Sequence, residues 1–191
     1  MKKYFVVSDV HSAYTPLINA LTKAGFDKSN NNHMLIICGD LFDRLDETVK
    51  VFEFVKELQK QGRLIYIKGN HESLLFDCVK EIRRGEFPSY HHISNGTIKT
   101  ICQFCGESEW IIYDPTCTDR ICKTMQPVLD FIDKVCVDYA EIGDYIFVHG
   151  WIPSFGHLDD FREVDNSDWY EAVWLNGMDM WRNPKIELME K

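Results

Sequence analysis

The 191-residue sequence has no long hydrophobic run, and its longest apolar segments, such as Met34–Cys38, are only four to five residues long. A helix that spans a bilayer needs about 20 apolar residues, so we expect no membrane partner. The apolar stretch after the charged start ends at Asp9, which is too short for a signal peptide. Seven cysteines without such a peptide do not indicate a disulfide scaffold, and we expect a reduced, cytoplasmic protein.

Basic residues are also scarce. The chain has 21 lysines and arginines against 30 acidic residues, a net charge of −9. Proteins that bind nucleic acid need a basic face, so we expect no nucleic-acid partner. Hydrophobic residues make up 45% of the chain and charged residues 27%, which is typical of a folded protein. The length predicts a single domain over residues 1–191. The oligomeric state stays open.

The first part of the chain alternates between strand and helix patterns. Helices are predicted after Thr15-Pro16, where the threonine would cap the helix, and after Asp46; a third is predicted around Leu75–Ile82. This alternation predicts an α/β fold with a parallel sheet. The strands are predicted from short runs of β-branched and other apolar residues at Tyr4–Val7, Met34–Cys38 and Leu64–Ile67.

The rest of the chain has weaker patterns. A two-residue turn at Gly143-Asp144 predicts an antiparallel hairpin. The predicted hairpin strands are Val137–Ile142 and Tyr145–His149, the predicted helices are Gly96–Phe104, Met125–Lys134 and Asp168–Leu175, and Gly85–Asn95 is predicted to be a loop.

Polar side chains lie at the ends of four of the predicted strands, which are the three parallel strands and the second strand of the hairpin. Loops at the carboxyl ends of parallel strands share one edge of a sheet, so we expect these side chains to converge. Carboxylate, imidazole and amide groups together suit Mn, Fe or Zn, and a bridging carboxylate allows two metal ions. A single aspartate after a strand is often a helix cap, but capping does not explain the whole set. The residues are Asp9, His11, Asp40, Asp43, Arg44, Asn70, His71 and His149.

Four motifs closely resemble those of the phosphoprotein phosphatase (PPP) family of calcineurin-like metallophosphoesterases. That family contains protein Ser/Thr phosphatases and symmetrical diadenosine tetraphosphatases. The resemblance implies an α/β/β/α sandwich with mixed sheets, and the chain ends about where we would expect the last strands, so we expect a C-terminally truncated domain. The motifs are Asp9-x-His11, Gly39-Asp40-x-x-Asp43-Arg44, Gly69-Asn70-His71-Glu72 and His149-Gly150.

The resemblance implies a centre of two metal ions. Asp9, His11 and Asp40 would hold the first ion. Asp40 would bridge to the second ion, which Asn70 and His149 would also bind. We expect Mn²⁺ at both positions, with Fe or Zn as the alternatives, because these ions accept mixed oxygen and nitrogen ligands.

The resemblance also assigns the reaction. His71 would be the general acid that protonates the leaving oxygen, and Asp43 would orient it. Arg44 and Asn70 would bind the phosphoryl group, because a guanidinium offers a bidentate fork to two of its oxygens. The implied function is hydrolysis of phosphate monoesters of the phosphoprotein Ser/Thr type, by direct attack of metal-activated hydroxide. The partner would be a phosphorylated protein or a small phosphoester.

The sequence departs from the family at several positions. Leu45 and Trp151 stand where the family commonly has small residues, which leaves the substrate open. The family has a further histidine ligand near its C-terminus, and after His149 only His157 is available. Two alternatives therefore remain, a symmetrical dinucleoside polyphosphate hydrolase and a catalytically impaired module that binds metal and phosphate. The family's second phosphate-binding arginine has two weak candidates, Arg162 and Arg182.

Two further groups could carry chemistry of their own. The pairs Cys102-x-x-Cys105 and Cys117-x4-Cys122 could form a four-thiolate zinc site, although buried free thiols explain them equally simply. His91-His92 follows a proline in the predicted loop, and we expect both rings to face water.

Overall fold

The computed structural model describes residues 1–153 and 160–175. Its central element is a sheet of four parallel strands in the order β1-β2-β3-β4. Phe5 lies opposite Leu35 in the register of β1 and β2. The strands predicted from the apolar runs are confirmed within one residue at either end. The strands are β1 Lys3–Ser8, β2 His33–Cys38, β3 Leu64–Ile67 and β4 Cys136–Val137.

Amphipathic helices connect these strands. In α2, for example, Val51, Val55 and Leu58 recur on one face and are almost completely buried. None of the described helices has the length and apolar character needed to cross a bilayer. The helices are α1 Tyr14–Lys23, α2 Thr48–Lys60, α3 Asn70–Arg83, α4 Tyr90–Asn95, α5 Thr97–Cys105, α6 Thr118–Val135 and α7 Asn166–Ala172, with short 3-10 turns at Glu109–Tyr113, Pro115–Cys117 and Asp160–Arg162.

The parallel sheet is covered on both faces, which explains why its central strands are continuously apolar. Leu35 and Ile37 of β2 belong to the core cluster that includes the helices. Ile36 and Cys38 point to the opposite face and pack against a second, antiparallel sheet. Its strands are β5 Ala140–Ile142 and β6 Tyr145–Phe147. The α/β fold is therefore confirmed in the described residues, with one parallel and one antiparallel sheet.

Both predicted helix caps are wrong by one or two residues. α1 begins at Tyr14, and the hydroxyl of Thr15 donates to the carboxylate of Glu47 at 2.8 Å instead of capping the helix. α2 begins at Thr48, and the carboxylate of Asp46 pairs with Lys99 at 2.8 Å. In each case a partner that is distant in sequence takes the side chain that would otherwise cap the helix.

Two other segment predictions need correction. The predicted loop Gly85–Asn95 contains α4, which ends at Gly96, where a left-handed backbone (φ 86°) turns the chain into α5. The predicted strand Val137–Ile142 is two strands: Val137 ends β4 beside Ile67 of β3, and only β5 pairs in the hairpin.

Candidate metal centre

The polar residues that follow the strands meet at one edge of the parallel sheet, around the carboxylate of Asp40. Its Oδ2 lies 3.8 Å from Nε2 of His11 and 3.8 Å from Nε2 of His71. Its Oδ1 lies 3.3 Å from Nε2 of His149. Asp9 completes the cluster, with Oδ1 3.9 Å from Nε2 of His11. Asp40 is almost completely buried, whereas the side chain of Asp9 is 59% exposed, so the cluster opens to solvent on the side of Asp9.

His11 presents an unpaired nitrogen to this cluster. Its Nδ1 lies 3.0 Å from the carbonyl oxygen of Phe42, which can only accept a hydrogen bond, so the proton is on Nδ1. Its Nε2 is buried and has no hydrogen-bond partner. Burial lowers the pKa of His11 and the hydrogen bond to Phe42 only partly opposes this shift, so the neutral ring with a free lone pair is favoured. A buried nitrogen of this kind, beside two carboxylates, fits a metal ligand.

His149 is held in the same manner from the other side. Its Nδ1 lies 2.9 Å from the carbonyl oxygen of Cys38, which fixes the proton there. Its Nε2 then has a lone pair, and it lies 3.0 Å from Oδ1 of Asn70 as well as near Asp40. Three acceptor atoms that face one another at these distances suit a bound cation. The donor set is mixed oxygen and nitrogen, as Mn, Fe and Zn require.

The ligand atoms form two overlapping groups that share one carboxylate. In each group the atoms lie within 4.8 Å of one another: His11, Asp40 and His71 form one group, and Asp9, Asp40 and His149 form the other. Asp40 is the residue that the two groups have in common. His71 is grouped with His11, and Asp9 is grouped with His149, although Oδ1 of Asp9 also lies 3.9 Å from Nε2 of His11.

His71 and Asp43 form a buried pair. Nδ1 of His71 donates to Oδ2 of Asp43 at 2.7 Å, and Nε2 faces the cluster 3.3 Å from Nη2 of the exposed Arg44. Burial alone lowers the pKa of His71, but the hydrogen bond to Asp43 and the charges of Asp40 and Asp43 outweigh it and raise the pKa above its ordinary value. The pair therefore holds the imidazole of His71 with its Nε2 directed towards the cluster.

Two threonines that the sequence analysis did not single out hold Asp43. The hydroxyl of Thr97 donates to Oδ2 at 2.8 Å, and that of Thr100 donates to Oδ1 at 2.7 Å. Thr100 also accepts from the backbone N–H of Asp43 at 3.0 Å. Both threonines are buried on α5. Their spacing of three residues, which places them on one face of the predicted helix, was the only available signal.

Glu72 is a second supporting residue without a predicted role, although it lies within a quoted motif. Its buried carboxylate accepts from the backbone N–H groups of Asp40, Leu41 and Gly69 at 2.7–2.9 Å, and from the hydroxyl of Tyr66 at 2.7 Å. These bonds join the loop after β2 to the loop after β3. Glu72 is the third residue of α3, a position from which a glutamate commonly reaches back to the start of its helix.

The backbone of these loops is strained. Six residues other than glycine have positive φ angles between 46° and 73°, a region that costs energy for any residue with a side chain. No residue with a side chain fits at Gly69, because a Cβ there would collide with the carboxylate of Asp40. A Cβ at Gly39 would lie 2.5 Å from Nδ1 of His149. The six strained residues are Asp9, His11, Ser12, Asp40, Asp43 and Arg44.

Of the three weak candidates, only Arg162 lies within the described residues. His157 and Arg182 lie outside the described residues. Arg162 ends the 3-10 turn Asp160–Arg162, and its guanidinium binds the carboxylate of Glu141 in β5, with Nε 2.8 Å from Oε1.

The cysteine and histidine pairs outside the motifs are structural. All four cysteines of the suggested zinc site pack in or against the main hydrophobic cluster, and among the described residues no potential metal-binding group contains a cysteine. Burial raises the pKa of Cys102 to about 11, which disfavours the thiolate that zinc requires. The expectation for His92 was wrong: its ring is buried, with Nε2 3.3 Å from the carboxylate of Glu81.

A family model and several curated proteins match this chain. A family model described as calcineurin-like phosphoesterase matches residues 2–189. A bis(5'-nucleosyl)-tetraphosphatase, PrpE [asymmetrical], of Bacillus velezensis is 30% identical over 83 residues, 40% of this chain and 33% of that protein. A symmetrical bis(5'-nucleosyl)-tetraphosphatase of Photorhabdus laumondii is 33% identical over 82 residues, 43% of this chain and 28% of that protein.

These matches are partial. The aligned stretch covers about a third of the length of the curated relatives. Among solved structures, a mutant of a cold-active protein tyrosine phosphatase aligns over 98% of this chain and 54% of that chain, with a TM-score of 0.47 and 18% identity.

Proposed function

The chain belongs to the calcineurin-like phosphoesterase family, and from this premise we propose that it is a metal-dependent hydrolase of dinucleoside polyphosphates. The observation that carries the metal dependence is the buried, unpartnered Nε2 of His11 beside the carboxylates of Asp9 and Asp40. The substrate class rests on the names of the relatives, each a bis(5'-nucleosyl)-tetraphosphatase. These names favour the alternative substrate of the sequence analysis over a phosphoprotein.

The ligand residues would divide between two divalent ions that share Asp40. His11 and Asp9 would serve one ion, and His149 and Asn70 the other. Mn²⁺ remains the first choice because the set contains only oxygen and nitrogen donors. Bound ions would neutralise charge on the phosphoryl oxygens and lower the pKa of a coordinated water molecule.

The remaining groups would bind the phosphoryl group and move a proton. Arg44 is exposed at the mouth of the cluster, and its guanidinium can take two phosphoryl oxygens. His71 would give its Nε2 proton to the leaving oxygen. Asp43 would keep Nδ1 protonated and hold the ring in place, since its own carboxylate is fixed by Thr97 and Thr100.

The test is turnover of bis(5'-adenosyl) tetraphosphate with added Mn²⁺, against an EDTA control, with the products separated by chromatography. We expect metal-dependent cleavage, and we expect Asp40→Asn and His71→Asn each to lower turnover by about 10²–10⁴-fold. Asp130→Asn, on the surface of α6, is the matched control and should retain activity. Two bound metal ions per chain are expected by elemental analysis.

Three results would contradict this proposal. Faster turnover of a phosphoserine peptide than of the dinucleoside would return the substrate to the phosphoprotein class. Tight phosphate binding without metal-dependent turnover of either substrate would indicate the impaired binding module. Activity that survives the loss of Asp40 or His71 would refute the roles given to these side chains.

A further inference from the structure

A cavity separate from the candidate metal centre lies beside it, at the carboxyl ends of β3 and β4. Its volume is about 460 Å³, within the range of about 300–1,000 Å³ that is common for small-molecule pockets. None of the proposed metal ligands lines it. Its walls are formed by Lys68, which follows β3, and by residues of α3, α6, β4 and α7 and the residue after β4. Six of the residues that line the cavity are Lys68, Ser73, Phe76, Asp138, Asn166 and Trp169.

The cavity and the metal centre share one segment of chain. Lys68 and Ser73 line the cavity, and in the sequence they flank Asn70 and His71 at the start of α3. Ser73 follows Asn70 by three residues on α3, so the two side chains are neighbours on the same helix face, with Cβ atoms about 5–6 Å apart. The cavity therefore begins within one helical turn of Asn70.

Ser73 supplies a polar group that the protein itself does not use. The residue is 3% exposed, and its hydroxyl is buried without a hydrogen-bond partner. Buried hydroxyls are normally paired, because an unpaired one has lost its water and gained nothing in return. An unpaired hydroxyl that lines a cavity is available to a ligand.

The aromatic walls of the cavity are held rigidly. Tyr139 stacks on Trp169 at 5.2 Å with the rings 19° apart, and Trp169 is buried. The hydroxyl of Tyr170, which also lines the cavity, is bound to the carboxylate of Asp77. Lys68 lies 5.7 Å above the ring of Phe76. Rigid aromatic walls suit a flat ring, because little side-chain freedom is lost when it binds.

We propose that this cavity binds a nucleobase that carries an exocyclic amine, as the nucleoside end of a substrate whose phosphate lies at the metal centre. The carboxylate of Asp138 and the amide of Asn166 can pair with the amine and an adjacent ring nitrogen. Ser73 provides a further donor or acceptor, and Lys68 lies on the side of the phosphates. An apolar ligand would leave these groups without partners, and a free phosphate would meet the carboxylates of Asp133 and Asp138 with one lysine.

This inference rests on the proposed function for the position of the phosphate, but its test does not use activity. Adenosine and uridine are titrated by calorimetry into the full chain in EDTA. We expect adenosine to bind more tightly than uridine, because uracil has no exocyclic amine. Ser73→Ala should weaken adenosine binding about tenfold, the loss of one hydrogen bond. Ser94→Ala, an exposed serine on α4, is the matched control and should bind as the wild type does.

The outcomes separate the two proposals. Absence of adenosine binding, equal binding by wild type and Ser73→Ala, or uridine binding as tight as adenosine binding would each overturn the nucleobase site. A lower melting temperature of Ser73→Ala would assign the hydroxyl a structural role and would also overturn it. Absence of metal-dependent turnover, by contrast, would refute the proposed function and leave these binding results unaffected.

Discussion

The substitution Glu72→Gln tests how strongly the supporting residues hold the two loops of the candidate metal centre. Oε2 of Glu72 accepts from the N–H groups of Asp40 at 2.9 Å and Gly69 at 2.7 Å. Oε1 accepts from the N–H of Leu41 at 2.9 Å and the hydroxyl of Tyr66 at 2.7 Å. Because all four partners donate, an amide NH₂ group at either position must face donors.

The loss of stability depends on which way the amide of the glutamine turns, and the favoured orientation is the one that leaves fewer donors unpaired. If NH₂ replaces Oε1, the hydroxyl of Tyr66 can turn and accept, so only the N–H of Leu41 loses its partner. An unpaired buried N–H costs about 1–3 kcal/mol, and the two bonds that remain lose the benefit of a charged acceptor. Burial raises the pKa of Glu72, because it disfavours the charged carboxylate. Removing the charge therefore offsets part of this cost. We expect a net loss of about 2–4 kcal/mol of unfolding free energy.

The measurement is urea unfolding in EDTA, so that metal binding does not contribute to stability. With a slope of about 2 kcal/mol per molar urea, the midpoint should fall by about 1–2 M. Tyr66→Phe, which removes one donor and leaves the carboxylate bound to three N–H groups, should cost about 1 kcal/mol. A Glu72→Gln midpoint within about 0.3 M of the wild type would refute the argument that Glu72 joins the loops.

Three more predictions follow from single contacts. Gly69→Ala should lower the melting temperature and abolish Mn²⁺ binding in calorimetry, because the added Cβ collides with the carboxylate of Asp40; unchanged binding would contradict this. Arg63→Met should cost about 2–4 kcal/mol in urea unfolding, since the buried guanidinium donates to three backbone carbonyls and the methionine can make none of these bonds. Hydrogen bonds from Thr15 and a neighbouring lysine lower the pKa of Glu47 to about 2. Its carboxylate therefore stabilises the fold above about pH 4.5. The difference in unfolding free energy between the wild type and Glu47→Gln should disappear as the pH falls towards 2, and a difference independent of pH would be inconsistent with that pairing.

The sheet could be predicted because its strands are buried on both faces. Met34–Cys38 is continuously apolar, since Leu35 contacts the helices and Ile36 contacts the second sheet. Residues directly after such strands share one edge, so the convergence around Asp40 could be expected from the order of the motifs alone. The fold and the approximate position of the candidate site were therefore available from local patterns and one topological rule.

What could not be predicted depends on partners that are distant in sequence. Thr15 has a strong capping signal, but Glu47, 32 residues away, binds both its N–H and its hydroxyl. The contacts of Thr97 and Thr100 with Asp43 span 54 and 57 residues. No local preference encodes such pairs, because they exist only after the helices have packed.

The strained loops explain why these supporting contacts belong to the function of the site. Each of the six left-handed residues costs about 1–3 kcal/mol, and the carboxylates of Asp9 and Asp40 repel each other in addition. Without the hydrogen bonds that Glu72 accepts, the loops would relax and the ligand atoms would separate. The bonds to Asp43 do the same for His71. Because the fold bears this cost during folding, the proposed ligands would already be in place when an ion binds. We therefore expect the loss of a supporting residue to weaken metal binding about 10–100-fold although no proposed ligand is removed.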